Sequence, residues 1–441
     1  MINELRNVIR VFYRLESAWK SPVKNTDDYL AATCLFEYLS YRLLESDKKD
    51  FLLGFRVFYR VLRRTLKRRA GIFQFDKAAD ALVISGTIAI QERVTEYIRR
   101  SGYAQLHSYI AKDIMSFDDV NRWKLLWTIV PFAIRQSIRC VYSPHRLGIA
   151  LSIAEVTEIA YIVHYIKKHK IKKVYDFVPY EIDSNFMYLI MRENEIEFVK
   201  IPSSGPLATH HKILLADTVI FSTPYHHEEK QKFHDSFRVK SIVMWPPERA
   251  FQYYPRYKLE SPVPEMKTLG FYSHGEWLRR EEKHSAYGGR IGEAESTILC
   301  YLGKYVEQHP DFRLLIFPHP REMNPKVREK MNTFYRRAIG HGRFEIAQFQ
   351  GGTTQHFDKV DIAAAAFSTI LYERLYCGYK TLIGNMAIEE FPMNHTALNN
   401  ICFRTYELMS ELIDEFSGKN ESYFFEKTML EPFKATHFPE P

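Results

Sequence analysis

The spacing of hydrophobic and polar positions changes near residue 76, and the two patterns predict different kinds of element. Through residues 1–75, apolar and basic positions recur at steps of three and four, which predicts helices. The clearest piece is 51–69, FLLGFRVFYRVLRRTLKRR, in which leucines and aromatics share one face and arginines and lysines gather elsewhere. We therefore predict an N-terminal helical segment that is part of the first domain and contains one strongly basic helix.

Beyond residue 76, short apolar runs alternate with helical patterns in two successive blocks. The first block begins with ALVIS at 81–85, and a helical pattern follows at 91–101. Further strands are predicted at 174–178, 196–201, 218–222, 268–272, 313–317, 344–347, 360–366 and 381–384. Further helices are predicted at 151–170, 186–193, 293–308, 325–339 and 369–377. Alternation at these lengths predicts parallel sheets that are covered by helices on both faces.

A proline-rich stretch divides the two blocks. Residues 245–265, WPPERAFQYYPRYKLESPVPE, contain five prolines, a composition typical of an interdomain linker. The predicted organisation is the helical segment 1–75, a first Rossmann-like domain at 76–250, a linker at 251–265 and a second Rossmann-like domain at 266–441. The predicted fold class is therefore α/β, with two Rossmann-like domains that face a cleft.

Composition and charge narrow the class of protein. With 441 residues, of which 46% are hydrophobic and 26% charged, the chain has ordinary globular usage. Its 61 basic and 53 acidic side chains give a net charge of +8, which suits an anionic substrate or surface. Five cysteines lie far apart without a CxxC pair, so neither a zinc ribbon nor a dense disulfide framework is expected. We find no signal-peptide pattern and no apolar stretch of spanning length, and we expect a cytoplasmic location.

The loop IFPHPRE follows a predicted strand of the second block. Open α/β sheets bind ligands beyond the carboxyl ends of their strands, so His319, Pro320 and Arg321 are candidates for a binding site. A histidine can donate to a phosphate or pair with it when protonated, and arginine adds a fixed charge with two donors. The alternative is a surface histidine without a ligand.

A second candidate loop opens the predicted helix at 369–377. Its first residues, Ser368 and Thr369, carry hydroxyls where a helix presents free N–H groups and the positive end of its dipole. We expect a phosphate there, with Glu373 one turn along to take ribose hydroxyls. The alternative is that Ser368 or Thr369 only caps the helix and Glu373 completes a capping box.

Two more loops follow predicted strands. Ser273, His274 and Gly275 in GFYSHGEWLR lie where a backbone can approach a ligand closely. Glu181 and Asp183 in PYEIDSN can supply a general base, although Asp183 can equally cap a helix beside a solvated Glu181. No metal site is predicted, because the histidines at 210, 211, 226, 227 and 234 lack a ligand spacing.

Together these features resemble a known family. Two α/β blocks, the His-Pro pair at 319–320, and the Ser-Thr pair at 368–369 followed by Glu373 resemble the GT-B glycosyltransferases that use CMP- or CDP-activated donors. Bacterial sialyltransferases of the lipooligosaccharide and polysialic-acid types are the nearest match, and CDP-glycerol transferases share related motifs. The resemblance covers residues 268–400 well and the first block in outline. It implies that His319 contacts the donor phosphate and assists departure of CMP, and that Ser368 and Thr369 bind the same phosphate.

One motif departs from that family. Its members usually carry an acidic pair followed by glycine as the general base, whereas this chain has His274-Gly275. Glu181 or Asp183 is our substitute. The implied reaction moves a sugar, such as sialic acid or a related acidic sugar, from a CMP-activated donor to a cell-surface glycan or lipid-linked acceptor without a metal or other cofactor. Alternatives are a CDP-polyol phosphotransferase, a UDP- or GDP-sugar transferase, and a non-catalytic basic scaffold that binds membrane or nucleic acid.

The basic segments have a place in this hypothesis. Segment 51–69 is predicted either to contact an anionic membrane surface at the inner face, near a lipid-linked acceptor, or to pack on its own domain. Segment 121–146, NRWKLLWTIVPFAIRQSIRCVYSPHR, has the same two alternatives, and its apolar content favours a core position. Nucleic acid is not a predicted partner, because a net charge of +8 is dilute over 441 residues.

Overall fold

The computed structural model describes most of the two predicted blocks. The described residues are 1–20, 23, 26–38, 58–59, 81–85, 94–99, 106–110, 122–142, 146–177, 184–201, 213–221, 236–245, 267–281, 290–348, 353–366, 368–386 and 396–430. The predicted linker at 251–265, most of the basic segment 51–69, and both Glu181 and Asp183 lie outside these residues.

Six parallel strands form the sheet of the first block. They are β1 (Ala81–Ser85), β2 (Leu106–Ile110), β3 (Lys173–Asp176), β4 (Glu197–Lys200), β5 (Ile213–Phe221) and β6 (Ser236–Met244). Their order across the sheet is β2-β1-β3-β4-β5-β6. Alternation along β1 sends Leu82 and Ile84 to one core and Ala81 and Val83 to the other. The sheet is therefore covered on both faces, as predicted.

Helices of the N-terminal segment build one of those cores. The described helices of this block include α1 (Ile2–Trp19), α2 (Asp27–Thr33), α3 (Arg122–Tyr142), α4 (Arg146–His169) and α5 (Ser184–Glu193); a π-helix spans Cys34–Tyr38, and residues 94–99 are also helical. In α1, Leu5, Val8, Phe12 and Leu15 recur at steps of three and four and are all fully buried. Among the described residues of this segment, the apolar face of α1 packs with residues of β1, β3 and β4.

The second block repeats the architecture. Its strands are β7 (Lys267–Tyr272), β8 (Phe312–Phe317), β9 (Glu345–Ile346), β10 (Ile362–Ala365), β11 (Thr381–Gly384) and β12 (Cys402–Phe403), in the order β12-β11-β10-β7-β8-β9. Its helices are α6 (Glu276–Glu281), α7 (Arg290–Gln308), α8 (Arg328–Ile339), α9 (Thr369–Tyr376), α10 (Tyr406–Phe416) and α11 (Glu421–Thr428). The predicted α/β class with two parallel Rossmann-like sheets is thus confirmed.

Three strands were not predicted, and each lies towards an edge of its sheet. β2 and β6 are the outermost strands of the first sheet, and β12 of the second. Edge strands are covered on fewer sides, so their sequences (LHSYI, SFRVKSIVM) include polar residues and lack a continuous apolar run. Helix α3 contains Pro131 in its interior. No described helix is both long and apolar enough to cross a membrane.

Candidate functional site

The connections of the second sheet create a crevice beside β7. From β7 the chain moves outward through β8 and β9, and then returns to the other side of β7 as β10. Ligands of open α/β sheets bind at such a switch point, outside the carboxyl ends of the strands. Pairing of Phe271 with Ala364 and of Tyr272 with Phe317 brings the ends of β7, β8 and β10 to one edge. Three of the four predicted loops therefore share this edge.

The turn after β7 is held by its own side chains. The Gly275 N–H donates to Oγ of Ser273 at 2.9 Å, and the Ser273 N–H donates to the Phe317 carbonyl of β8 at 3.0 Å. Gly275 has a φ of +71°, a conformation that side chains with a Cβ rarely adopt. The predicted close approach is real, but the nearest partner is another part of the chain.

That partner is His319. A Cβ added to Gly275 would lie 3.0 Å from Cβ of His319, and the rings of His274 and His319 are 6.2 Å apart between centroids. The loops 273–275 and 318–322, which were predicted separately, therefore form one surface.

The hydrogen bonds of His319 fix its tautomer. The Arg321 N–H donates to Nδ1 of His319 at 3.2 Å, so the ring proton of the neutral form is assigned to Nε2. Burial, followed by the charges of Arg279, His274 and Arg321, lowers the pKa of His319 to about 4. At neutral pH the ring is thus an uncharged N–H donor. Among the described residues, Nε2 of His319 has no hydrogen-bond partner.

Glu322 locks the loop that carries this histidine. Its carboxylate accepts the His319 N–H at 2.5 Å and the Tyr335 hydroxyl at 2.9 Å, and it also accepts from Nε1 of Trp277. The side chain is fully buried, so each of these bonds satisfies a group that water does not reach. His319 is therefore placed on a rigid turn.

Glu295 of α7 holds the turn after β7 through hydrogen bonds, as Glu322 holds the turn that carries His319. Its carboxylate accepts the backbone N–H groups of His274 and, at 3.2 Å, Glu276, and it lies 3.5 Å from Oγ of Ser273. Burial is the largest cause that raises the pKa of Glu295 to about 8. The pKa of Glu322 is also raised by burial. The edge is therefore less negative at neutral pH than its count of carboxyl groups indicates.

Sequence analysis missed Glu295, Glu322 and Arg279 as parts of the site. A signal was present for Glu295, which occupies a core position between Ile291 and Ile298 on the buried face of α7. Arg279 is the last residue of the sequence GFYSHGEWLR, and no role in the site was predicted for it. Its guanidinium lies 3.9 Å from the buried Glu276 carboxylate, and its charge is one of the causes that lower the pKa of His319.

The third loop begins α9. Oγ of Ser368 accepts the Ile370 N–H at 3.4 Å, so the predicted cap is present. Thr369 is the first residue of the helix, and its side chain lies outside the described residues. Glu373 is 4% exposed, and its carboxylate accepts the hydroxyl of Thr354 at 3.4 Å. This carboxylate faces the interior of the domain, which does not favour a contact with ribose.

The first sheet has a corresponding switch point between β1 and β3. Asp176 ends β3, is buried, and accepts the Ser184 hydroxyl at 2.5 Å. Lys200 ends β4, pairs in register with Asp176, and donates to Oδ1 of Asn185 at 2.6 Å. This buried polar cluster was not predicted, although a charged residue closes each of the strand runs KVYD and EFVK. Glu181 and Asp183 lie outside the described residues.

Within the described ranges, no group of three or more His, Cys, Asp or Glu side chains is placed to hold a metal ion. No protein-family model and no curated protein sequence matches this chain.

Several solved structures follow a similar chain path. MnaA from S. aureus in complex with UDP is 14% identical, with a TM-score of 0.44 over 82% of this chain and 100% of that one. UDP-GlcNAc 2-epimerase from Neisseria meningitidis, bound to UDP-GlcNAc, is 13% identical, with a TM-score of 0.46 over 80% of this chain and 95% of that one. A sucrose-phosphate synthase from Thermosynechococcus elongatus is 11% identical, with a TM-score of 0.43 over 80% and 96%. Likenesses at these scores assign neither a substrate nor an activity to this chain.

Proposed function

We propose that this chain is a glycosyltransferase that takes a sugar from a nucleotide-sugar donor. The observation that carries the proposal is the placement of His319. A neutral N–H donor is held rigidly at the switch point of a parallel sheet, against the glycine turn that follows β7. The capped start of α9 follows β10, which lies on the other side of β7 from β8. A nucleotide phosphate is the ligand that such an edge recognises, because hydrogen-bond donors and a helix N-terminus both favour negative charge.

The proposed reaction is a displacement at the anomeric carbon. A bond forms from the acceptor hydroxyl oxygen to that carbon while the bond from the carbon to the phosphate oxygen breaks. A carboxylate takes the proton of the hydroxyl, and Glu181 or Asp183 remains the predicted base. The nucleotide leaves with negative charge on its phosphate. The Nε2–H of His319 and the N–H groups at the start of α9 stabilise this charge as it develops.

Burial of His319 has a chemical consequence in this scheme. A histidine with a pKa of about 4 is neutral before the donor arrives, so it does not repel Arg279 or Arg321. A bound phosphate would raise the pKa of His319, since an opposite charge favours the protonated form. His319 therefore acts as a neutral hydrogen-bond donor through Nε2–H, and this bond strengthens as negative charge develops on the phosphate.

For the donor we propose CMP as the nucleotide, on the basis of the motif resemblance, and a reaction without a metal. A UDP- or GDP-linked sugar and a CDP-linked polyol are the alternatives, since the described edge recognises phosphate and does not discriminate among bases. The proposed acceptor is a cell-surface glycan or a lipid-linked glycan.

Thermal unfolding in the presence of nucleotides tests the proposal. At about a hundredfold excess over Kd, a ligand that binds only the native state stabilises it by about 2.7 kcal/mol. We expect CMP to raise the Tm with and without EDTA, and we expect His319→Ala to abolish the shift. A shift with UDP or GDP alone would replace CMP as the donor nucleotide. If no nucleotide raises the Tm of the wild-type chain, the glycosyltransferase proposal is wrong.

A further inference from the structure

The outer face of α3 is unusually apolar for a surface helix. Trp127 is 79% exposed, Ile138 57% and Ile134 46%, and Pro131 between them is also exposed. These four residues are spaced at four, three and four positions, so they form one stripe along the helix. Single exposed apolar residues are common on proteins, but a continuous stripe that includes a tryptophan marks an interaction surface.

Packing of the inner face prevents α3 from turning this stripe inward. Leu125, Ile129 and Ala133 are fully buried in the core of the first block. The ring of Phe132 lies 5.3 Å from that of Phe12 in α1, edge to face. The sequence prediction that 121–146 belongs to a core is therefore correct for one face of α3 and wrong for the other.

The charges of α3 are all of one sign. The helix contains Arg122, Lys124, Arg135 and Arg139 and no aspartate or glutamate. Lys124 and Arg135 are exposed and border the apolar stripe. Arg135 lies over the ring of Tyr13 at 4.8 Å from its centroid, and Arg139 pairs with Glu16. Packing on α1 therefore keeps the Arg135 guanidinium at the border of the stripe.

We propose that the outer face of α3 docks on an anionic lipid surface. Apolar side chains with a tryptophan at their edge and basic residues beside them are what a helix lying in a membrane interface presents. The tryptophan and isoleucines enter the boundary between headgroups and acyl chains, and the cations meet the lipid phosphates. A nucleic acid would use the cations and leave the isoleucines exposed to water. The inference is independent of the proposed glycosyl transfer.

This surface differs from the predicted one. The sequence predicted either a membrane contact or packing on its own domain for segment 51–69, which lies outside the described residues apart from 58 and 59. The described surface with both the apolar and the basic component is α3. Variants of α3 therefore separate the two assignments.

Vesicle flotation with the full chain tests the proposal. We expect the wild type to float with vesicles of phosphatidylcholine containing phosphatidylglycerol, and not with phosphatidylcholine alone. Trp127→Ser combined with Ile134→Ser should weaken binding to the acidic vesicles about tenfold or more, because it removes most of the inserted apolar area. The matched control is Leu408→Ser, which changes an exposed apolar residue on α10 in the other block and should leave flotation unchanged.

A second pair of variants tests how much the basic residues of α3 contribute to vesicle binding. Arg135→Glu should weaken binding to acidic vesicles, whereas Arg336→Glu on α8 should not. Circular dichroism and the Tm of each variant establish that it is folded. If the stripe variants float as well as the wild type, another segment such as 51–69 carries the contact and the proposal is overturned. It is also overturned if the wild type ignores acidic vesicles, or if the stripe variants instead convert a dimer to a monomer in sedimentation.

Discussion

Two turns of the second block, at His319 and at His341, contain the same local hydrogen bond but have different surroundings. In one, His319 accepts the N–H of Arg321 on Nδ1 at 3.2 Å, and in the other, His341 accepts the N–H of Arg343 on Nδ1 at 3.0 Å. Both tautomers therefore place the ring proton on Nε2. The first turn follows β8 at the carboxyl edge of the sheet, and the second follows α8 and precedes β9, so it lies at the opposite edge.

The neighbouring groups determine whether Nε2–H of each histidine ring already has a hydrogen-bond acceptor. Nε2–H of His341 donates to the Gly303 carbonyl at 2.9 Å, which satisfies the ring completely. Within the described residues, Nε2–H of His319 has no such partner; the ring lies against Gly275, and Glu322 accepts the backbone N–H of His319. The same local motif thus yields a structural histidine at one edge and a candidate ligand donor at the other.

Replacing each histidine by alanine gives the largest expected difference. His319→Ala should reduce glycosyl transfer by about a hundredfold, because it removes a positioned donor to the leaving phosphate. His341→Ala should lower stability by about 1 kcal/mol, through loss of its hydrogen bonds, and leave turnover unchanged. Steady-state kinetics and urea unfolding measure the two effects. Equal kinetic losses in both variants would mean that the edge at His319 is not the site.

A pair of glycines sharpens the comparison. Gly275 and Gly340 both have positive φ, at +71° and +89°. An added Cβ would press on His319 at 3.0 Å in the first case, and it would meet nothing within 4 Å in the second. Gly275→Ala and Gly340→Ala should each cost about 1 kcal/mol of stability from the backbone conformation. Only Gly275→Ala should also weaken nucleotide binding, about tenfold, because it displaces His319.

Calorimetric titration with the nucleotide found in the screen checks this prediction. Unchanged nucleotide affinity in Gly275→Ala would separate the turn after β7 from the binding site. A loss of affinity in Gly340→Ala as large as that in Gly275→Ala would show that stability alone, and not the position of His319, controls binding.

Two helix caps provide a smaller contrast. Ser368 caps α9 at the candidate site, and Thr405 caps α10, accepting the Leu408 N–H at 3.3 Å. Either residue changed to alanine should cost about 1 kcal/mol of stability. Ser368→Ala should in addition weaken nucleotide binding about fivefold, if its hydroxyl also reaches the phosphate. Identical affinities in the two variants would restrict Ser368 to its capping role.

The last contrast is in the dependence of stability on pH. The pKa of Glu295 is about 8 in the folded chain against an ordinary 4.5, so the stability that its protonated form contributes is complete below pH 4.5 and is lost as the pH rises to about 8. The pKa of His319 affects stability over a different pH range. Its pKa of about 4, against an ordinary 6.5, makes stability fall as the pH drops from 6.5 to 4. A series of melts from pH 6.5 to 9 therefore isolates Glu295.

The matched variant for this series is Glu295→Gln. The amide cannot lose a proton, so the decline of Tm between pH 6.5 and 9 should be shallower in the variant than in the wild type, whatever its absolute stability. Parallel curves would contradict the raised pKa of Glu295. They would leave intact its hydrogen bonds to the turn at 274–276, which are seen directly.

Much of this molecule follows from the sequence alone. Apolar runs and the glycines after them predicted most of the interior strands and the two α/β blocks, since burial of a strand on both faces leaves a clear local pattern. The cap at Ser368 and the stiff turn at His319 were also predictable, because each is built from groups within a few residues of one another. The edge strands β2, β6 and β12 were not, because an edge strand does not need a continuous apolar run, although the edge strand β9 was predicted at 344–347.

Only the tertiary structure decided which of these local features became a candidate site. His319 owes its neutral ring to burial and to Arg279, forty positions earlier in the chain, and Glu295 owes its raised pKa to the domain interior. The exposure of Trp127 likewise depends on how α3 packs against α1. Protonation and exposure are set by groups distant in sequence, and a local pattern of residue types contains no record of those neighbours.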